Sequence, residues 1–171
     1  MIGKYFVNLL TKFALKKKPR RDSGSYSTAR KIGILYSYST EKNHNLTYEF
    51  VEELEKEGKV VKILAFIPKA KKTDVYKYPY FSEKDLKASG KWDKKEVVEF
   101  KNEEFDYLLS LDKELNKYSK NILATCRAKC RVGQANEGVN EYFEMMINHD
   151  DEDFGSLLRQ VHHYIKNIRN E

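Results

Sequence analysis

Glycine is too sparse and too scattered in this sequence to build a phosphate cradle. No two of the eight glycines lie within three positions of each other, which excludes the G-x-G-x-x-G turn that lets a backbone approach a pyrophosphate. The nearest approach, Gly133 to Gly138, has the glycine spacing of a Walker loop, but Val139 and Asn140 stand where Lys and Ser/Thr are required. Cysteine is equally scarce. Cys126 and Cys130 are too few for a disulfide scaffold, and no nearby Cys or His completes a tetrahedral zinc site. No metal and no cofactor is expected, and a reducing, cytoplasmic compartment fits. Apolar runs fall well short of the ~20 residues of a membrane span, and the first 21 positions hold no acidic residue.

What is present is an ordinary globular composition with an uneven charge. The 171 residues suffice for one core, and 12 Tyr and 9 Phe supply large packing surfaces. The net charge of +6 is concentrated at the start. Residues 1–31 carry nine Lys or Arg against Asp22 alone, while the remainder is slightly acidic.

The spacing of Ile2, Phe6, Leu9 and Phe13 predicts an amphipathic helix ended by Lys16, Lys17, Lys18 and Pro19. Residues 1–22 therefore read as a basic helical arm and 23–30 as a polar linker. Residues 31–171 read as a single domain. The arm's composition also has some transit-peptide character.

Within the domain, KIGILYSY (31–38) and VVKILAFI (60–67) read as strands flanking a helix with Leu46, Phe50 and Leu54 on one face and Gly58 at its end. VYKYPYF (75–81) reads as an edge strand, and DKKEVVEF as a short helix opened by Asp93. FDYLLSLD (105–112) reads as a buried strand. A helix is expected from about 113 to 131, capped by Asp112, with Leu115, Tyr118, Ile122, Cys126 and Cys130 as its stripe. Arg127, Lys129 and Arg131 would then solvate its other faces or hold an anion. YFEMMIN (142–148) follows as a strand, and a last helix buries Phe154, Leu157, Leu158, Val161, Tyr164, Ile165 and Ile168, with Asp151, Glu152 and Asp153 at its positive pole. Four or five strands and four or five helices imply a three-layer α/β domain around a mostly parallel sheet, flavodoxin-like or Rossmann-like, plus the N-terminal helix.

At FDYLLSLD, ATCRAKCRVG and YFEMMI the chain resembles a family of uncharacterised bacterial α/β proteins of about this length. The matching positions are Asp106, Asp112, Ala128, Lys129, Arg131, Val132, Gly133, Met146 and Ile147. The resemblance supports the fold and implies no activity.

Two surfaces could carry function. Lys4, Lys12, Lys16, Lys17, Lys18, Arg20 and Arg21 could bind a polyanionic surface, either RNA or the ribosome or an anionic membrane. Otherwise the apolar stripe of the arm packs on the protein's own domain. The second surface is the crevice beyond the carboxyl ends of the strands, where Tyr38, Ser39, Thr40, Asp112, Asn148, His149 and Asp150 are delivered. A His among carboxylates there could serve as acid or base for a small molecule or nucleotide. The expectation is a non-enzymatic cytoplasmic protein acting through its arm, peripheral to a membrane or ribosome, with the crevice as the alternative.

Overall fold

The computed structural model describes residues 2–17, 21, 24–70 and 76–168, apart from the side chains of Ile2 and Lys4. Six parallel strands form one sheet: β1 (Lys31–Ser37), β2 (Val60–Phe66), β3 (Tyr80–Phe81), β4 (Tyr107–Ser110), β5 (Cys130–Gln134) and β6 (Met145–Ile147). Their order is β3-β2-β1-β4-β5-β6, which is the Rossmann arrangement. The first three strands step outward from β1 in one direction and the last three step outward in the other. Strand order thus reverses between β1 and β4, where Ile32 faces Tyr107 and Leu35 faces Ser110.

Alternation along the strands sorts the core into two halves. Ile32, Ile34, Tyr36, Tyr107 and Leu109 meet α2 (Glu41–Lys56) and α5 (Phe154–Lys166) through Phe50, Leu54, Leu158 and Ile165. Leu35, Leu64, Phe66 and Leu108 point the other way, to α3 (Lys95–Asn102) and α4 (Lys117–Thr125) through Val97, Phe100, Ile122 and Leu123. This is the expected three-layer α/β sandwich, and the N-terminal helix α1 (Ile2–Lys16) joins the second layer by packing on α4.

The helix expected over 113–131 is half that length. It begins at Asn116, whose side chain caps Tyr118 and Ser119, and ends at Thr125. Asp112 is therefore not its cap. The chain then turns, and Cys130 pairs with Tyr107 as the start of β5. Cys126 lies in the core half around α4, and Cys130 in the half on the opposite side of the sheet. A spacing of four fits a helical stripe, yet it fits equally a helix end followed by a strand.

Within the sheet this segment also carries an ion pair. Arg131, buried in β5, gives Nη2 to Glu144 Oε1 at 2.6 Å and Nε to Oε2 at 3.0 Å, and it donates to the carbonyls of Leu123 and Glu141. A buried guanidinium is tolerable only when paired in this way. Gly133, just past the end expected for that helix, lies in β5 under the Phe143 ring, where a Cβ would come 2.2 Å from the ring. The short helix α3 starts two residues after Asp93 and has no side-chain cap.

The segment expected as a linker contributes Tyr26 and Ala29 to the core. The Tyr107 hydroxyl also donates to the Gly24 carbonyl.

Candidate functional site

The crevice at the strand reversal is built on a hydrogen-bonded hub. Asp112, just beyond β4, accepts from the Ser37 amide through Oδ1 at 2.6 Å and from the Ser37 hydroxyl through Oδ2 at 2.7 Å. Asn116 donates to the same hydroxyl at 3.2 Å. The ends of β1 and β4 and the start of α4 are thereby tied together. Burial pushes the Asp112 carboxyl up to about 6, against the lowering effect of the two bonds from Ser37.

In front of this hub lies a cavity of about 430 Å³ whose lining includes Ser37, Ser39, Asn43, Asp112, Gln134 and His149. Ser39, Asp112 and His149 are thus brought together from among the crevice residues expected from sequence. Thr40 instead caps α2, accepting from the Asn43 amide at 3.1 Å. Tyr38 joins an aromatic cluster with His44 and Tyr76, at ring distances of 5.5 and 6.4 Å. Asn148 and Asp150 are exposed and do not line the cavity.

The chemistry available here is limited. His149 turns Nδ1 to Gln160 Oε1 at 3.1 Å and Nε2 to the Asp153 carbonyl at 3.3 Å, so both ring nitrogens are occupied in bracing the β6–α5 loop. Asp153 caps α5 through the Ser156 amide at 2.7 Å, the structural role that carboxylates before a helix commonly take. Asp112, Glu114, Asp151, Glu152 and Asp153 line the cavity against Lys113 alone, a field that disfavours a phosphate. Among the described residues no group of three His, Cys, Asp or Glu is placed to hold a metal ion.

The N-terminal helix is mounted on the domain by a face that sequence periodicity does not single out. Val7 and Thr11 are buried. Asn121 of α4 donates to Thr11 Oγ1 at 3.0 Å and accepts from Trp92 Nε1 at 2.8 Å, which joins α1, α4 and the Trp92 loop. The approach is close at two glycines: a Cβ on Gly3 would lie 2.5 Å from the Lys87 carbonyl oxygen, and one on Gly90 would lie 2.8 Å from the Phe6 Cβ.

This mounting leaves the apolar stripe facing outward. Tyr5, Phe6, Leu9 and Phe13 are 77%, 41%, 40% and 54% exposed. Lys12, Lys16 and Lys17 are exposed beside them. At 100° per residue, Tyr5, Leu9, Lys12, Phe13 and Lys16 share one side of the helix, opposite Val7 and Thr11. Lys18, Arg20 and the Lys4 side chain lie outside the described residues.

Arg21 has a different role from the lysines. It donates to the carbonyls of Ala128 and Cys126, and its Nε lies 3.6 Å from Glu144 Oε1, within the Arg131 network. Of the other basic residues noted in sequence, Lys129 pairs with Asp106 at 2.7 Å and Arg127 is exposed. The Asn121 hub and the Glu144 pairing had no sequence signal, because each partner lies far away or in a segment read as another element.

The chain belongs to a family of unknown function (DUF6913), whose model matches residues 4–168. No curated protein and no solved structure matches it. Among the described residues no helix is long and apolar enough to cross a membrane.

Proposed function

For this member of a family of unknown function, we propose a non-enzymatic cytoplasmic role in which α1 docks the α/β domain onto an anionic membrane surface. The observation that carries the reading is the orientation of α1: its inner face is spent on Val7, Thr11 and Asn121, while Tyr5, Leu9 and Phe13 face outward between lysines. Apolar side chains flanked by cations suit the headgroup boundary of a bilayer, where the chains enter and the ammonium groups meet lipid phosphates. Each Lys near such a surface contributes about 1 kcal/mol. Leu9 argues for lipid over RNA, since an aliphatic side chain offers a nucleic acid neither stacking nor a hydrogen bond.

The test is co-sedimentation with vesicles of phosphatidylglycerol and phosphatidylcholine across a salt series, with Leu9→Glu and Lys12→Glu variants and with ribosomal RNA in parallel. The reading expects binding that rises with phosphatidylglycerol, weakens with salt and falls at least tenfold in either variant. Binding to RNA alone, unaffected by Leu9→Glu, would replace it with the RNA reading.

A small-molecule role at the crevice has one observation in its favour, the Asp112–Ser37 hub at the strand reversal. The acidic lining then favours a neutral or cationic solute over a nucleotide. Thermal stabilisation by nucleotides but by no polyol or amine would contradict that preference.

A further inference from the structure

Beside α1 lies a second, open-sided cavity of about 630 Å³, bordered by α1, the Trp92 loop, α3 and α4. Its size falls in the range of small-molecule sites. Leu10, Phe13 and Ala14 form one wall, Trp92 and Val98 contribute two more sides, and Ala124 and Cys126 lie on α4 and at its end. Among the described residues three lysines line it, Lys17, Lys91 and Lys101, and no Asp or Glu does.

Lys101 differs from the other two in its setting. It is half-buried on α3, one turn beyond Val98, and among the described residues no carboxylate pairs with its ammonium. Burial leaves the amine below the usual lysine range, with the nearby Cys126 thiol opposing that shift. An unpaired cation in an apolar recess is poorly solvated, and a ligand anion would relieve that condition.

We infer that this cavity binds a single-chain fatty carboxylate, with the carboxylate on Lys101 and the chain laid along Phe13, Ala14, Trp92 and Val98. Charge sets the polarity of the ligand, since three cations and no anion border the site. The apolar walls set its body, because a small hydrophilic anion would leave the exposed Phe13 and Val98 side chains uncovered. Association with α1 is also economical: Leu10, Phe13 and Ala14 on one flank of the helix form the wall, so an occupant would brace the helix against the domain. The inference does not rest on the membrane reading, which concerns Tyr5, Leu9 and the lysines beside them; Phe13, at the edge of that side, also borders the cavity.

Monomeric laurate is the probe, titrated without vesicles into the full-length protein by calorimetry, with Trp92, the single tryptophan of the chain, as a fluorescence reporter. Dodecanol and dodecyltrimethylammonium serve as the neutral and cationic counterparts. The expected result is laurate binding at least tenfold tighter than dodecanol, with the cation weakest and Trp92 emission shifted. Lys101→Met should bring laurate down to the level of dodecanol, a change of preference that general loosening of the fold would not produce. Val98→Phe, which narrows the cavity, should weaken both. Equal binding of laurate and dodecanol to the unaltered protein, a preference kept by Lys101→Met, or no response of Trp92 would overturn the proposal. The first comparison needs no variant, so it decides even where Lys101→Met does not fold. Retained vesicle binding with no laurate binding would reject this site and leave the docking reading standing.

Discussion

Asp112 holds its position at an electrostatic cost, because its folded-state carboxyl titrates near 6 while an unfolded aspartate titrates near its ordinary 3.8. Between those values the folded protein binds more protons than the unfolded one, so this group makes stability fall as pH rises from about 4 to about 6. Asp112→Asn removes that dependence while keeping groups able to bond Ser37. The variant is expected to be more stable at pH 7 by about 1–3 kcal/mol and equal or less stable at pH 4. Urea denaturation at the two pH values measures both. Asn121 acts in the opposite sense: Asn121→Leu leaves the Trp92 indole N–H without its acceptor and removes the bond accepted by the Thr11 hydroxyl, which still donates to the Val7 carbonyl. A loss of about 2–3 kcal/mol is expected in the same experiment.

At the scale of elements, sequence pattern was readable where an element's own periodicity decides its fate. The central residues of β1, β2 and β4, the Phe50–Leu54 stripe of α2 and the Leu157–Val161–Ile165 stripe of α5 bury as their spacing implies, while Val60 at the start of β2 and Tyr164 of α5 stay exposed. Two elements were not readable this way. The segment 126–134 kept an apolar recurrence compatible with a helix, but its contacts lie far along the chain: Cys130 and Val132 pair with β4, and Arg131 meets Glu144, 13 residues on. Glu144→Gln should therefore cost about 3–5 kcal/mol, seen as an earlier urea transition, because it leaves a buried guanidinium without its counter-charge. In α1 the strongest stripe, Phe6, Leu9 and Phe13, stays largely in solvent. The buried face is chosen by shape: Gly3 and Gly90 permit a backbone approach, and Asn121 supplies the bonds. Gly90, at φ of 78°, allows no Cβ without strain and a clash with Phe6. Gly90→Ala is expected to destabilise the protein by about 1–3 kcal/mol. Limited proteolysis of the variant should cut α1 first.

At the scale of the whole molecule, the Rossmann strand order is present without the glycine turn that usually equips it for dinucleotides. The loop after β1 reads Tyr38-Ser39-Thr40, and the crevice it borders is acidic. The crevice's location could be read from sequence once parallel strands were inferred. Its composition was readable only in part, because Gln134 and Asn43 reach it through β5 and α2 register rather than through any motif. The net positive charge is concentrated instead toward the N-terminus, on a helix that packs on α4 and still presents an apolar, lysine-flanked side. The domain and its basic helix thus form one body, and docking would orient the whole α/β sandwich rather than tether it through a loose arm.

Hydrogen exchange across residues 2–16, in the free protein and then with phosphatidylglycerol vesicles, tests that account most directly. The account predicts slow exchange over α1 in the free protein, comparable with α4, and a further slowing on vesicles confined to α1. Fast exchange over α1 in the free protein, with protection arising only on vesicles, would contradict it, as would the absence of any change on vesicles.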